Sequence, residues 1–211
     1  MNVVAHFRPR PVAGVSTVDT ADGLSAFCAP QSAAVVWQRE MPQDVASWID
    51  ALDPAQLPSG RVVLPPNTVS SIVAHLCDMA ETPSGASRDW LVADITMLAD
   101  HFARVMQTRF LRLRLDVVTT NACRRFHCDA ITGRLVCTYR GTGTQYGTSV
   151  DHADPASIQT VQRGAPILLR GSLWPPRPNA GLLHRSPPIE GTGETRLVLV
   201  LDPVDDPDEE Q

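Results

Sequence analysis

WLVADITMLADHFARVMQTRFLRLRLDV, residues 90–117, changes its hydrophobic period partway along. Up to Met106 the apolar residues Leu91, Ile95, Leu98, Phe102 and Val105 recur at helical spacing, with Ser87 as N-cap. From Phe110 the pattern alternates: Leu111, Leu113, Leu115 and Val117 are interleaved with Arg112, Arg114 and Asp116, as in a strand with one buried face. This switch divides the chain into a helical first half and a β-rich second half.

Upstream, QDVASWIDAL (43–52) and the stretch from Thr68 to Met79 have the spacing of two further amphipathic helices, with a short strand at Arg61–Leu64 between them. Downstream, Arg134–Arg140, Pro166–Arg170 and Thr195–Asp202 read as strands separated by Gly/Pro-rich turns. The expected architecture is α+β, with N-terminal helices packed on a C-terminal β-sandwich or barrel. Residues 1–34 lack a sustained period and are expected to be irregular. A single domain then covers 35–202 with its β core at about 110–202, and the acidic stretch 203–211 reads as a disordered tail.

With 211 residues, 43% of them hydrophobic and 19% charged, the chain can bury one sizeable core. A formal charge of -5 argues against nucleic acid, whose backbone attracts clustered positive charge. No apolar run approaches the roughly 18 residues that span a bilayer, so no membrane partner is expected. The start of the chain does not resemble an export signal. Five cysteines without CxxC spacing suit reduced thiols, and the expected compartment is the cytoplasm.

The chemistry concentrates in RRFHCDA (124–130). If this segment is extended, His127 and Asp129 leave the same face and converge. His184 in GLLHRSPP follows a strand-like stretch and would complete two histidines and one carboxylate, a ligand set that leaves positions open on ferrous iron. An HxD pair alone is commonplace on strands, so the rest of the pattern matters. Arg196 stands inside the apolar strand TRLVLVLD, where an unpaired guanidinium is costly to bury and calls for an anion. The chain contains no lysine, so all its fixed side-chain cations carry arginine's planar fork.

The ordered set of H-x-D, the GAPILLRG strand, a histidine after a proline-rich turn and an arginine on the next strand resembles the double-stranded β-helix dioxygenases, a jelly-roll or cupin-like barrel fold. That family uses Fe(II) and 2-oxoglutarate. The resemblance covers about Arg112 to Asp202 and implies His127, Asp129 and His184 as iron ligands and catalytic centre. It implies Arg196 as the grip on the far carboxylate of 2-oxoglutarate. More closely, CRRFHCD, RLVCTYRGTGTQY, HRSPPIEGTGE and RLVLVLD resemble a bacterial family of unknown function, DUF1826. The implied activity is oxidation of a small molecule or a peptide side chain, with decarboxylation of the keto acid to succinate. Many members of the superfamily carry a hydroxyl residue two positions after the arginine, where this chain has Val198. Tyr139 or Thr138 is expected to supply that hydroxyl, and Tyr139 is preferred.

Two rival readings share the scaffold. In one, Cys123 and Cys137 approach His127 and favour zinc in a noncatalytic metal-binding protein. In the other, a cupin-like enzyme uses the triad without a keto acid. Arg124, Arg125, Arg134 and Arg140 are expected either on solvated outer strand positions or around a positive mouth for an anionic substrate. Trp174 and Tyr146 are candidate rim aromatics.

Overall fold

The computed structural model describes residues 14–149, 153–175 and 181–206. His6 and His152 lie outside these residues, as do the end of the acidic tail and part of the loop after Trp174.

Three helices, α1 (Gln43–Ala51), α2 (Val69–Met79) and α3 (Ala86–Met106), precede most of the sheet. The stripe on α3 is buried as its spacing demands, with Leu91, Ile95, Leu98, Ala99 and Phe102 all inaccessible. The helix begins one residue before Ser87, behind Gly85, whose φ of 139 favours glycine.

Among the described residues ten strands form two sheets. The large sheet contains β1 (Val15–Val18), β2 (Ala34–Trp37), β3 (Gly60–Leu64), β4 (Phe110–Val118), β5 (Gly133–Arg140), β8 (Pro166–Arg170) and β10 (Arg196–Val204), in the order β1-β2-β8-β5-β10-β4-β3. The small sheet has the order β7-β6-β9, from β6 (Gln145–Thr148), β7 (Gln159–Thr160) and β9 (Leu182–Arg185). All pairings are antiparallel except that of β1 with β2. The result is a mixed α/β fold built on a large, mostly antiparallel sheet. The described strands form two open sheets and no closed barrel, where the sequence reading expects a β-sandwich or a jelly-roll, cupin-like barrel.

The alternation of β4 sorts its side chains between the two faces of the large sheet. Leu111, Leu113 and Leu115 join Leu135, Cys137, Tyr139, Leu197, Leu199 and Leu201 in the main core, together with the helices. On the other face Val136, Ile167, Leu169, Val198 and Val200 pack with Leu182 of the small sheet. Full burial of each large aliphatic side chain contributes roughly 1.5–3 kcal/mol, so the helix-backed face anchors the sheet and leaves the opposite face for chemistry.

The start of the chain differs from expectation. Within 1–34, β1 extends the sheet edge, and a 3-10 turn at Asp22–Cys28 buries Leu24 and Phe27 completely. These residues lack a helical or strand period because long-range packing orders them. The guanidinium of Arg170 donates to the carbonyls of Phe27 and Ala29 at 2.7 Å each and stacks on the ring of Trp174. Trp174 meets Phe27 edge-on, so it is a packing anchor. At the other end β10 runs to Val204, past the expected boundary at 202.

Candidate metal centre

His184 lies on β9, and His127 faces it from the link between β4 and β5 across an isolated antiparallel bridge. Asp129, two residues on, lies in a segment pinned by the turn after β8. There the N–H of Ser172 donates to Asp129 O at 2.8 Å, and those of Gly171 and Leu173 donate to Thr132 and Ile131 at 3.0 Å. Gly171 must be glycine for this approach, because a Cβ there would stand 2.0 Å from the carbonyl oxygen of Ile131.

The ligand atoms of His127, Asp129 and His184 all lie within 4.8 Å of one another. His184 Nε2 is 3.1 Å from Asp129 Oδ2, and His127 Nε2 is 3.5 Å from Asp129 Oδ1. His127 Nδ1 lies 2.8 Å from the carbonyl oxygen of Arg125, which can only accept, so Nδ1 carries a proton and the ring turns Nε2 toward Asp129. Burial works to raise the Asp129 carboxyl, but the two imidazoles and Arg134 outweigh it and hold the group well below the usual carboxylate range. Burial pushes the His184 imidazole down, while the Asp129 carboxylate raises that of His127.

The fit to a metal rests on the donor set and on one carboxylate oxygen that lacks an aligned hydrogen bond. Asp129 Oδ2 is enclosed and accepts no aligned hydrogen bond, although the Arg134 guanidinium lies 2.6 Å away. A buried carboxylate with one oxygen beside each of two imidazole nitrogens is satisfied by a cation among them, and two nitrogens with one carboxylate suit ferrous iron.

Arg196 is 1% exposed and opens onto the same cleft. Its Nε donates to Thr142 O at 2.7 Å and its Nη2 to Thr138 Oγ1 at 3.5 Å. Among the described residues it makes no ion pair with a carboxylate, and burial pushes its pKa down to about 10. Glu194 organises this corner by accepting from the Thr142 N–H and hydroxyl.

Tyr139 is not at this site. Its ring lies wholly in the helix-backed core and its hydroxyl donates to Asp94 Oδ2 at 2.7 Å, a carboxylate that also receives Arg39 through both terminal nitrogens. Thr138, its neighbour, is the hydroxyl beside Arg196. Alternation along β5 puts Tyr139 on the helix-backed face with Leu135 and Cys137, and Thr138 on the cleft face with Val136; the bulge at Tyr139 shifts only the pairing beyond it, where Arg140 meets Leu197.

Cys137 lies on the core face, its thiol pushed up to about 12 by burial, so it is no ligand here. Cys123 is exposed on the cleft rim, outside the ligand cluster. Tyr146 pairs directly with His184 and packs in the second core. Arg140 bonds to Leu52 O, away from the cleft.

The sequence reading places Arg134 only as an outer-strand or mouth residue and misses its partner Asp202. Arg134 donates through Nε and Nη2 to both oxygens of Asp202, at 2.7 and 2.9 Å, while its Nη1 faces Asp129. The alternation of charge on β4, β5 and β10 was the available signal, but only strand order brings these residues together. Among the described residues no helix is long and apolar enough to cross a membrane.

A family model described as Protein of unknown function (DUF1826) matches residues 18–202. No curated protein matches the chain in sequence. Among solved structures, the chain is similar to the 2-oxoglutarate complex of dioxygenase for auxin oxidation 1 from Arabidopsis thaliana, at 10% identity and a TM-score of 0.47 over 93% of this chain and 94% of that one. A putative oxygenase from Shewanella oneidensis gives 14% identity and 0.46 over 93% and 91%. A prolyl-4-hydroxylase from Pseudomonas putida gives 15% and 0.36 over 80% and 97%.

Proposed function

The chain belongs to the DUF1826 family of proteins of unknown function, and from that premise we propose that it is an Fe(II)- and 2-oxoglutarate-dependent oxygenase acting on a small molecule or a peptide side chain. The observation that carries this reading is the pairing, in one cleft, of the His127–Asp129–His184 cluster with the buried guanidinium of Arg196, which has no carboxylate partner among the described residues.

In this reading His127 and His184 would hold the metal through Nε2 and Asp129 through one carboxylate oxygen, a donor set suited to ferrous iron. Arg196, with Thr138 beside it, holds the far carboxylate of the keto acid through two-point, charge-assisted hydrogen bonds. Val136, Val198 and Val200 keep the cleft floor apolar and limit water. When bound, iron would supply the coupled oxidation in which dioxygen is the oxidant: one of its atoms enters succinate as the keto acid loses carbon dioxide, and the other enters a substrate C–H bond to give the alcohol.

The test is aerobic incubation with Fe(II) and 2-oxoglutarate, together with anaerobic spectroscopy of the same mixture. The expected result is slow keto-acid consumption without added substrate and a new visible absorption band. Metal retained by the triad with neither signal would replace this reading with a metal-binding protein, or with an enzyme that uses the triad without a keto acid.

A further inference from the structure

Two charged side chains on β4 have no task in that scheme. Arg114 and Asp116 stand two residues apart on the face lining the cleft, a strand repeat of roughly 6.6 Å. Arg114 has one hydrogen-bond partner among the described residues, Asp202 Oδ2, which its Nη2 reaches at 3.4 Å. That oxygen already accepts Arg134 Nη2 at 2.9 Å. Arg114 Nε is enclosed and makes no hydrogen bond. Asp116 makes no hydrogen bond or ion pair with any described residue, Arg114 and Arg196 included.

Resting on the oxygenase reading, the geometry points to a small zwitterion, an amino acid, as the substrate class, with its carboxylate on Arg114 and its ammonium on Asp116. A simple anion would satisfy Arg114 but meet repulsion from Asp116, and a simple amine would meet the reverse. A molecule carrying both charges complements the pair. Arg114 also lies close to the proposed chemistry: Asp202 contacts both Arg114 and Arg134, and Arg134 contacts Asp129. Val118 and Val136 line the same cleft and offer apolar surface to the carbon skeleton. Room beside the keto acid comes from the adjoining space: past Ala122, Cys123 and His127 the cleft continues into an open depression of about 380 Å³, bordered by Arg124 and Arg125.

The experiment uses the full chain loaded with manganese(II), which occupies the triad without redox turnover, and saturated with 2-oxoglutarate. Melting temperature and calorimetry are read with each of the twenty common amino acids, and then with the carboxamide and N-acetyl forms of those that bind. At least one amino acid should bind, and loss of either charge should weaken it about tenfold or more. Arg114→Gln should erase the preference for acid over carboxamide, and Asp116→Asn the preference for amine over N-acetyl. Should Arg114→Gln fail to fold, Asp116→Asn carries the test. The proposal is overturned if no amino acid binds, if the neutralised forms bind as well as their parents, or if the variants still discriminate. A shift with 2-oxoglutarate but none with amino acids removes this proposal and leaves the oxygenase reading. Amino-acid binding without a keto-acid shift does the opposite.

Discussion

His127 and His184 face each other as a doubly hydrogen-bonded antiparallel pair, each backbone N–H donating to the other's carbonyl at 3.0 Å. Their ring centroids are 4.5 Å apart. The two imidazoles are therefore set by main-chain pairing, and disturbance of the site should come through the carboxylate and the arginines around it.

Arg196→Lys keeps the charge and loses the fork. Charge-assisted hydrogen bonds contribute roughly 1.5–3 kcal/mol each, so the apparent constant for 2-oxoglutarate should rise about ten- to hundredfold while metal affinity holds. Steady-state keto-acid titration checks it. Unfolding of the variant with unchanged residual keto-acid use would make Arg196 a structural residue.

Arg134→Met leaves Asp202, 1% exposed, as a buried carboxylate without its bidentate partner. Breaking such a pair costs about 3–5 kcal/mol, seen as a lower urea midpoint. Metal affinity should also fall about ten- to hundredfold, because Arg134 touches the proposed ligand Asp129. Replacing Asp202 with Leu in the same chain should recover most of the stability but not the affinity. An unchanged metal affinity would remove Arg134 from the site.

Gly171→Ala puts a methyl group 2.0 Å from the Ile131 carbonyl oxygen and 2.8 Å from that of Asp129. The Asp129 segment must move, and metal affinity should drop by tenfold or more even where the fold persists. Calorimetry with manganese(II) reads it directly, and wild-type affinity would mean that the segment adjusts without moving the carboxylate.

At alkaline pH the fold should weaken. Cys137 is raised from 9.0 to about 12, and burial with Asp94 beside it raises Tyr139 well above its ordinary value. Both groups are neutral when protonated, and their folded pKa values exceed the unfolded ones. Their contribution is therefore complete below about pH 9 and is lost as pH rises toward the folded values. Denaturation midpoints across this range should fall together with the appearance of tyrosinate absorbance. In the native protein thiol reagents should label exposed Cys28 and Cys123 and spare Cys137; equal labelling of Cys137 would contradict its burial.

Local periodicity was enough to locate all three helices and the five longest strands, because each buries a face whose spacing appears in a short window of residues. The same local rule placed His127 and Asp129 two residues apart and marked Arg196 as a cation inside an apolar strand. It could not find β1, β2 or the two-residue β7, which are held by pairing with distant strands. It also did not give the face. Alternation divides β5 into two sets of side chains, but only the helices packed on one side decide which set is the core, and they put Tyr139 against Asp94 and leave Thr138 beside Arg196. Likewise Arg134, Asp202 and Arg114 come together only because β10 lies between β4 and β5 in the sheet. Strand order and register are set by long-range burial that no local window of sequence contains.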